Sequence, residues 1–155
     1  MHKDLKELLF IFNAHGVKYL VVGAYAVSFH SQPRATKDLD LFIQADSDNA
    51  KAVYEALATF GAPLEGMKVE DFSDKTGFFR MGREPLMVDI LTQIDGVDFD
   101  EAWERHITAI IDEETGLKAN FISGPDLITS KIAAGRPQDL ADASALRKTI
   151  KQKSE

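Results

Sequence analysis

Along the first stretch of the chain, Leu5, Leu8, Leu9 and Phe12 recur at three- and four-residue intervals between charged positions, which predicts an amphipathic helix over residues 3 to 15, stopped by Gly16. The period then changes. "KYLVVG" is a continuous apolar run that reads as a short buried strand ending at Gly23, and "AYAVSFH" supplies about two turns of helix built from small and apolar residues. "SQPRATK" is a turn-rich loop, and "DLDLFIQ" predicts a second strand. Asp46 or Ser47 caps a helix reaching Phe60, with Ala52, Val53, Ala56, Leu57 and Phe60 at its apolar positions and Gly61 and Pro63 ending it. Residues 77 to 82 and 85 to 94, "GFFRMG" and "PLMVDILTQI", predict two strands joined by a tight turn around Gly82 and Arg83. "DFDEAWERHI" has the signature of a capped helix, and "TAIIDEETGLKANFI" that of a hairpin or of two edge strands around Gly116. Ser123 caps a helix with Pro125 in its first turn and Gly135 at its stop, and Pro137 opens a last helix. Helices and strands mixed with hairpins in this order predict an α+β fold, a mixed sheet flanked by helices with a C-terminal helical pair.

Composition narrows the class. A chain of 155 residues, 45% hydrophobic and 28% charged, fits one domain, residues 1 to 155, with a core of sheet and helices over 1 to 122 and closing helices over 123 to 155. With no cysteine, a disulfide framework, a thiolate metal site and a cysteine nucleophile are excluded, so a metal would have to use oxygen ligands or the four histidines. The run "LLFIF" near the N-terminus is too short for a signal-peptide core or a membrane span, and a cytoplasmic protein without a membrane partner is the expectation. The net charge of −7 argues against a general nucleic-acid binder. Arg147, Lys148, Lys151 and Lys153 crowd the C-terminus, where they suit the negative end of the last helix.

Against this background the carboxylates of "KDLDLFI" stand out. In a strand, Asp38 and Asp40 project to one face while Leu39, Leu41 and Ile43 face the other. One reading is a strand face turned to water. The other is a divalent cation, because two adjacent like charges raise each other's pKa until something positive separates them, and Mg²⁺ takes carboxylate oxygens together with substrate phosphates. Gly23 sits where a strand turns into a helix; it either eases that turn or leaves the helix N-terminal N–H groups open to a phosphate. Asp89 interrupts an apolar strand and needs a metal, a lysine or an arginine as partner.

These residues carry a resemblance. The stretch "YLVVGAYAVSFHSQPRATKDLDLFI" resembles the nucleotidyltransferase superfamily that shares the DNA polymerase β fold, whose pattern is a glycine followed by glycine or serine at the start of a short helix, D-x-D on the next strand, and a third carboxylate on a later strand. Gly23, then Asp38 and Asp40, then Asp89 match those positions. The likeness is closer to small bacterial proteins of the minimal and abortive-infection toxin type, in which "R-A-T-x-D-L-D" follows a histidine-bearing helix, as Arg34 to Asp40 follow His30. "KIAAGRPQDLADASAL" is similar to their closing helices, with Lys131, Arg136, Asp139 and Asp142 at matching places. Ala24 departs from the pattern: it keeps an N–H and lacks the hydroxyl that a serine would offer a phosphate.

The resemblance implies a transferase that moves NMP from an NTP to a hydroxyl acceptor and releases pyrophosphate. Asp38, Asp40 and Asp89 would be its catalytic and metal-binding residues for Mg²⁺ or Mn²⁺, Asp89 serving as ligand or general base. Gly23 and Ala24 would bind the nucleotide's phosphates, and Lys131 or Arg136 would neutralise developing charge, unless both are spent in salt bridges with the nearby aspartates. Arg34 is expected to fix its loop or pair with a carboxylate, and His30 to brace the core. The acceptors of the superfamily include tRNA ends, protein hydroxyls and small molecules, and a cognate toxin or antitoxin is a further expected partner. A second reading, in which the fold is kept without catalysis and binds a nucleotide or a cognate toxin in the manner of an antitoxin, is left open by Ala24. A metal-dependent phosphodiesterase fits less well, since such hydrolases usually add histidine ligands. Trp103 and the phenylalanines have spacings that suit core packing, and "DEE" at 112 to 114 suits a solvated turn.

Overall fold

In the computed structural model, residues 1–33, 35–83 and 86–154 are described. Among them the chain forms α1 (Lys3–Ala14), β1 (Tyr19–Val22), α2 (Gly23–His30), β2 (Asp38–Ile43), α3 (Ser47–Phe60), a 3₁₀ turn (Val69–Phe72), β3 (Phe78–Arg83), β4 (Leu86–Leu91), α4 (Phe99–Glu104), β5 (Ile107–Asp112), β6 (Leu117–Phe121), α5 (Gly124–Ala134) and α6 (Pro137–Ser154). The strands make one mixed sheet in the order β3-β4-β2-β1-β6-β5. β2 runs antiparallel to β1 and parallel to β4, β6 runs parallel to β1, and the hairpins β3–β4 and β5–β6 close the two edges. This is an α+β fold.

Alternation along the strands separates two apolar layers. Tyr19, Val21, Leu39, Leu41, Ile43 and Ile90 point to the face covered by α1 and α3, where Leu8, Leu9, Phe12, Val53 and Leu57 pack with them. Leu20, Val22 and Phe42 point to the other face and meet Ala26, Val27, Phe99, Leu127 and Leu146 from α2, α4, α5 and α6. The helices are cut to length by local chemistry. Asp46 caps α3 by accepting from the Asn49 N–H, and Gly61 ends it in the left-handed conformation. Ser123 and Gly135 do the same for α5.

Three expectations need adjustment, and one left open is decided. Gly82 and Arg83 do not form the hairpin turn; they lie in β3, opposite Met87 and Leu86, and the residues that connect the strands, 84 and 85, are outside the described ones. β4 stops at Leu91 and does not run to residue 94; at the bend that follows, the Thr92 hydroxyl shares its hydrogen between the carbonyls of Asp74 and Gly77. Of the two readings for residues 108 to 122, the antiparallel hairpin is the observed one. Asp112 belongs to β5 and lies 3.6 Å from Lys6 Nζ, so only Glu113 and Glu114 are solvated turn residues. No helix of the described residues is long and apolar enough to cross a membrane.

Candidate active site

The junction of β1 and α2 sets one wall of the site. Gly23 is the first residue of α2 and has φ +67°, a conformation that costs L side chains energy and glycine very little. Space demands glycine as well: a Cβ built here would overlap the Asp40 carboxylate and stand 2.9 Å from its Cγ. Val22, the residue before the helix, offers no side-chain cap, so the first N–H groups of α2 open beside Asp40 without a side-chain acceptor from that position. Ala24 follows in the first turn, partly exposed.

Across the sheet the charged side chains form a row. Asp40 on β2 is directly opposite Val22 on β1 and Asp89 on β4, and Asp89 is opposite Arg80 on β3. Direct opposition puts these side chains on one face, and Asp38 shares it two residues before Asp40. Burial pushes the Asp40 pKa up from 3.8 to about 6, helped by the charge of Asp89, a hydrogen bond with it, and the charge of Asp38; Lys131 acts in the opposite direction.

Among the described residues, Arg80 is the counter-charge in contact with two of these carboxylates. Its Nε lies 3.2 Å from Asp89 Oδ1 and its Nη2 lies 3.8 Å from Asp38 Oδ2. The Arg80 N–H does not point along the shorter line, so Asp89 Oδ1 has charge compensation and, though buried, no hydrogen-bond partner among the described residues. An orphaned buried oxygen beside a desolvated carboxylate is a donor set suited to a hard divalent cation such as Mg²⁺ or Mn²⁺. Among the described residues no three histidines or carboxylates are gathered into a finished ligand set. The residues fit the ion in chemistry, with Arg80 bridging Asp38 and Asp89.

On the other side of Asp40 a cleft of about 320 Å³ opens, lined by Gly23, Gln93, Ser130, Lys131, Arg136 and Asp139 among others. Lys131 Nζ is 3.4 Å from Asp139 Oδ1 and 3.3 Å from Asp142 Oδ2, both carboxylates being almost fully buried. The Arg136 Nε donates to Asp139 Oδ2 at 2.7 Å, and this hydrogen bond is the main reason the Asp139 carboxyl stays below its usual range; Lys131 contributes further. Both basic residues are therefore ion-paired and line the cleft at once, so the two readings of them are not exclusive.

Placement of the remaining candidates is mixed. His30 is buried at the end of α2, its Nε2 donating to the Ile122 carbonyl at 2.6 Å, a brace between α2 and the segment after β6. Arg34 lies outside the described residues. The Tyr25 hydroxyl, unmarked in the sequence, donates to the Thr36 carbonyl and ties down the chain just before Asp38. Arg80 was also missed as a site residue; the available signal was its position, two residues from Phe78 and Gly82 on one face of a strand next to an aspartate in need of a cation.

Comparison with known proteins gives the family and a similar fold. The family described as "Nucleotidyltransferase of unknown function (DUF6036)" matches residues 2–152, and the chain belongs to that family. It is thus a nucleotidyltransferase-family protein, of the transferase class. In fold it is similar to the lincosamide antibiotic adenylyltransferase LnuA in its lincomycin-bound crystal structure, with a TM-score of 0.55 and 17% identity over 96% of this chain and 98% of that one. No curated protein matches it in sequence.

Proposed function

We propose that the chain transfers NMP from an NTP to a hydroxyl acceptor with Mg²⁺ or Mn²⁺, and the observation that carries this reading is the placement of Asp40 between Asp89 and the Gly23 turn. Asp38, Asp40 and Asp89 would hold the ion. When bound, it supplies Lewis-acid stabilisation of phosphoryl charge and acidifies an acceptor hydroxyl. The N–H groups of Gly23 and Ala24 hold phosphate oxygens at the start of α2. Lys131, fixed by Asp139 and Asp142, and Arg136 place positive charge along the cleft, where pyrophosphate builds up charge as it leaves. Asp89 accepts the proton of the acceptor hydroxyl as its oxygen bonds to the α-phosphorus and the α–β bridging bond breaks. Residues 1 to 155 act as one unit in this scheme, with α5 and α6 forming a wall of the cleft.

The acceptor is a tRNA end, a protein hydroxyl or a small molecule, and the negative net charge disfavours long nucleic acid. A cytoplasmic toxin–antitoxin setting belongs to the same proposal. Ala24 motivates a second reading, in which the cleft binds a nucleotide or a cognate partner without turnover. Incubation with labelled NTPs, Mg²⁺ or Mn²⁺ and cell extract tests the first: label should move to an acceptor in a manner abolished by Asp40→Ala. Calorimetry separates the second, since tight partner binding that survives Asp38→Ala and Asp40→Ala, in a protein without turnover, supports binding alone.

A further inference from the structure

Arg80 is placed where a metal ion would compete with it. Its guanidinium reaches Asp89 Oδ1 at 3.2 Å through Nε and Asp38 Oδ2 at 3.8 Å through Nη2, so it spans two of the three carboxylates from the edge strand β3. The hold is loose. Asp89 Oδ1 remains without an aligned hydrogen bond, the Asp38 contact is long, and about half of the Arg80 side chain is exposed, 48%, against 16% for Asp89. A fork that truly satisfied these carboxylates would lie closer and make parallel N–H···O bonds. Its neighbours on that face of β3, Phe78 and Gly82, are exposed and leave the guanidinium room to swing outward.

From this we infer that Arg80 is a displaceable counter-ion of the carboxylate row: it offsets part of the charge of Asp38 and Asp89 before the cation arrives and gives up both oxygens when it binds. The inference rests on the metal-site reading above. A divalent ion and the guanidinium need the same Oδ atoms, so each lowers the other's occupancy. The physical consequence is ordered loading. A bare cation must displace Arg80 with only water to compensate the freed guanidinium, whereas a cation that arrives with a triphosphate brings an anion for Arg80 to meet. The site is thereby biased toward the metal–nucleotide complex over the metal alone.

The test is a titration of the full chain with Mn²⁺, following free Mn²⁺ by electron paramagnetic resonance, for the wild type, Arg80→Gln, Arg80→Lys and Asp89→Asn, each confirmed folded by circular dichroism. Without nucleotide, Arg80→Gln should bind Mn²⁺ roughly fivefold more tightly than wild type, the scale of one lost, partly exposed ion-pair competitor. With a non-hydrolysable NTP analogue the advantage should vanish or reverse. Arg80→Lys, which keeps the charge but loses the fork, should fall between. Equal or weaker Mn²⁺ binding by Arg80→Gln without nucleotide, alongside wild-type binding that Asp89→Asn abolishes, would overturn the inference and leave the metal site standing. Absence of Mn²⁺ binding in every form, with and without the analogue, would overturn the metal-site reading itself.

Discussion

Asp40 and Asp89 stand directly opposite one another on adjacent parallel strands, with Gly23 packed against the carboxylate of the first and Arg80 against that of the second. Two acids so placed, one of them desolvated, form a site that stores unfavourable charge in the absence of a cation.

That stored charge predicts a stability effect. The folded-state pKa of Asp40 is raised, so between about pH 4 and pH 6 the folded protein holds a proton that the unfolded chain releases, and stability falls as pH rises through this window. Asp40→Asn should therefore be more stable than wild type at pH 7.5 in EDTA, by on the order of 1–2 kcal/mol, and the difference should disappear near pH 4. Urea melts at the two pH values check it.

Gly23→Ala should both strain the backbone and displace Asp40. Gly16 supplies a matched control, since its φ is also +67° but nothing lies within 4 Å of an added Cβ. Both substitutions carry the cost of a left-handed alanine, about 1–2 kcal/mol. Only Gly23→Ala should cost more than that and also lose nucleotide binding, as read by chemical denaturation and by calorimetry with an NTP analogue.

The chain's division into elements was legible from apolar periodicity and caps, because helix ends and strand faces are local properties. The D-x-D pair and Gly23 were legible for the same reason. What brings Asp89 beside Asp40 is the parallel pairing of β2 with β4, a contact between segments some fifty positions apart that no local spacing encodes. Arg80 stayed invisible as a site residue because its role exists only through that pairing and the next one, β3 on β4. The misplaced hairpin turn has a related cause: glycine at position 82 marked a tight backbone approach to Leu86 and Met87, not the turn itself.

Lys131 should matter for folding as well as for the cleft. Its ammonium is shared by Asp139 and Asp142, whose side chains are 3% and 5% exposed. Lys131→Met removes a cation shared by both buried carboxylates and should destabilise the chain by on the order of 3 kcal/mol, more than Arg136→Met, which leaves Lys131 on both of them. Equilibrium urea unfolding distinguishes the two.

His30 predicts an acid-side loss. Burial pushes its pKa below 6.5, the hydrogen bond to Ile122 opposes this in part, and the Lys153 charge adds to the lowering. Stability tied to the neutral ring is complete above pH 6.5 and declines as pH falls below it, because the unfolded chain takes up the proton first. Wild type should lose more in Tm than His30→Gln between pH 7.5 and pH 5.5.

Parallel incubations with α-labelled and γ-labelled NTP in cell extract decide whether the row of carboxylates beside Gly23 carries the proposed nucleotidyl transfer. α-Label should become attached to an acceptor while γ-label leaves in pyrophosphate, and Asp89→Asn and Asp40→Asn should each reduce transfer at least about a hundredfold. Transfer undiminished in Asp89→Asn, or γ-label appearing on the acceptor in place of α-label, would contradict it.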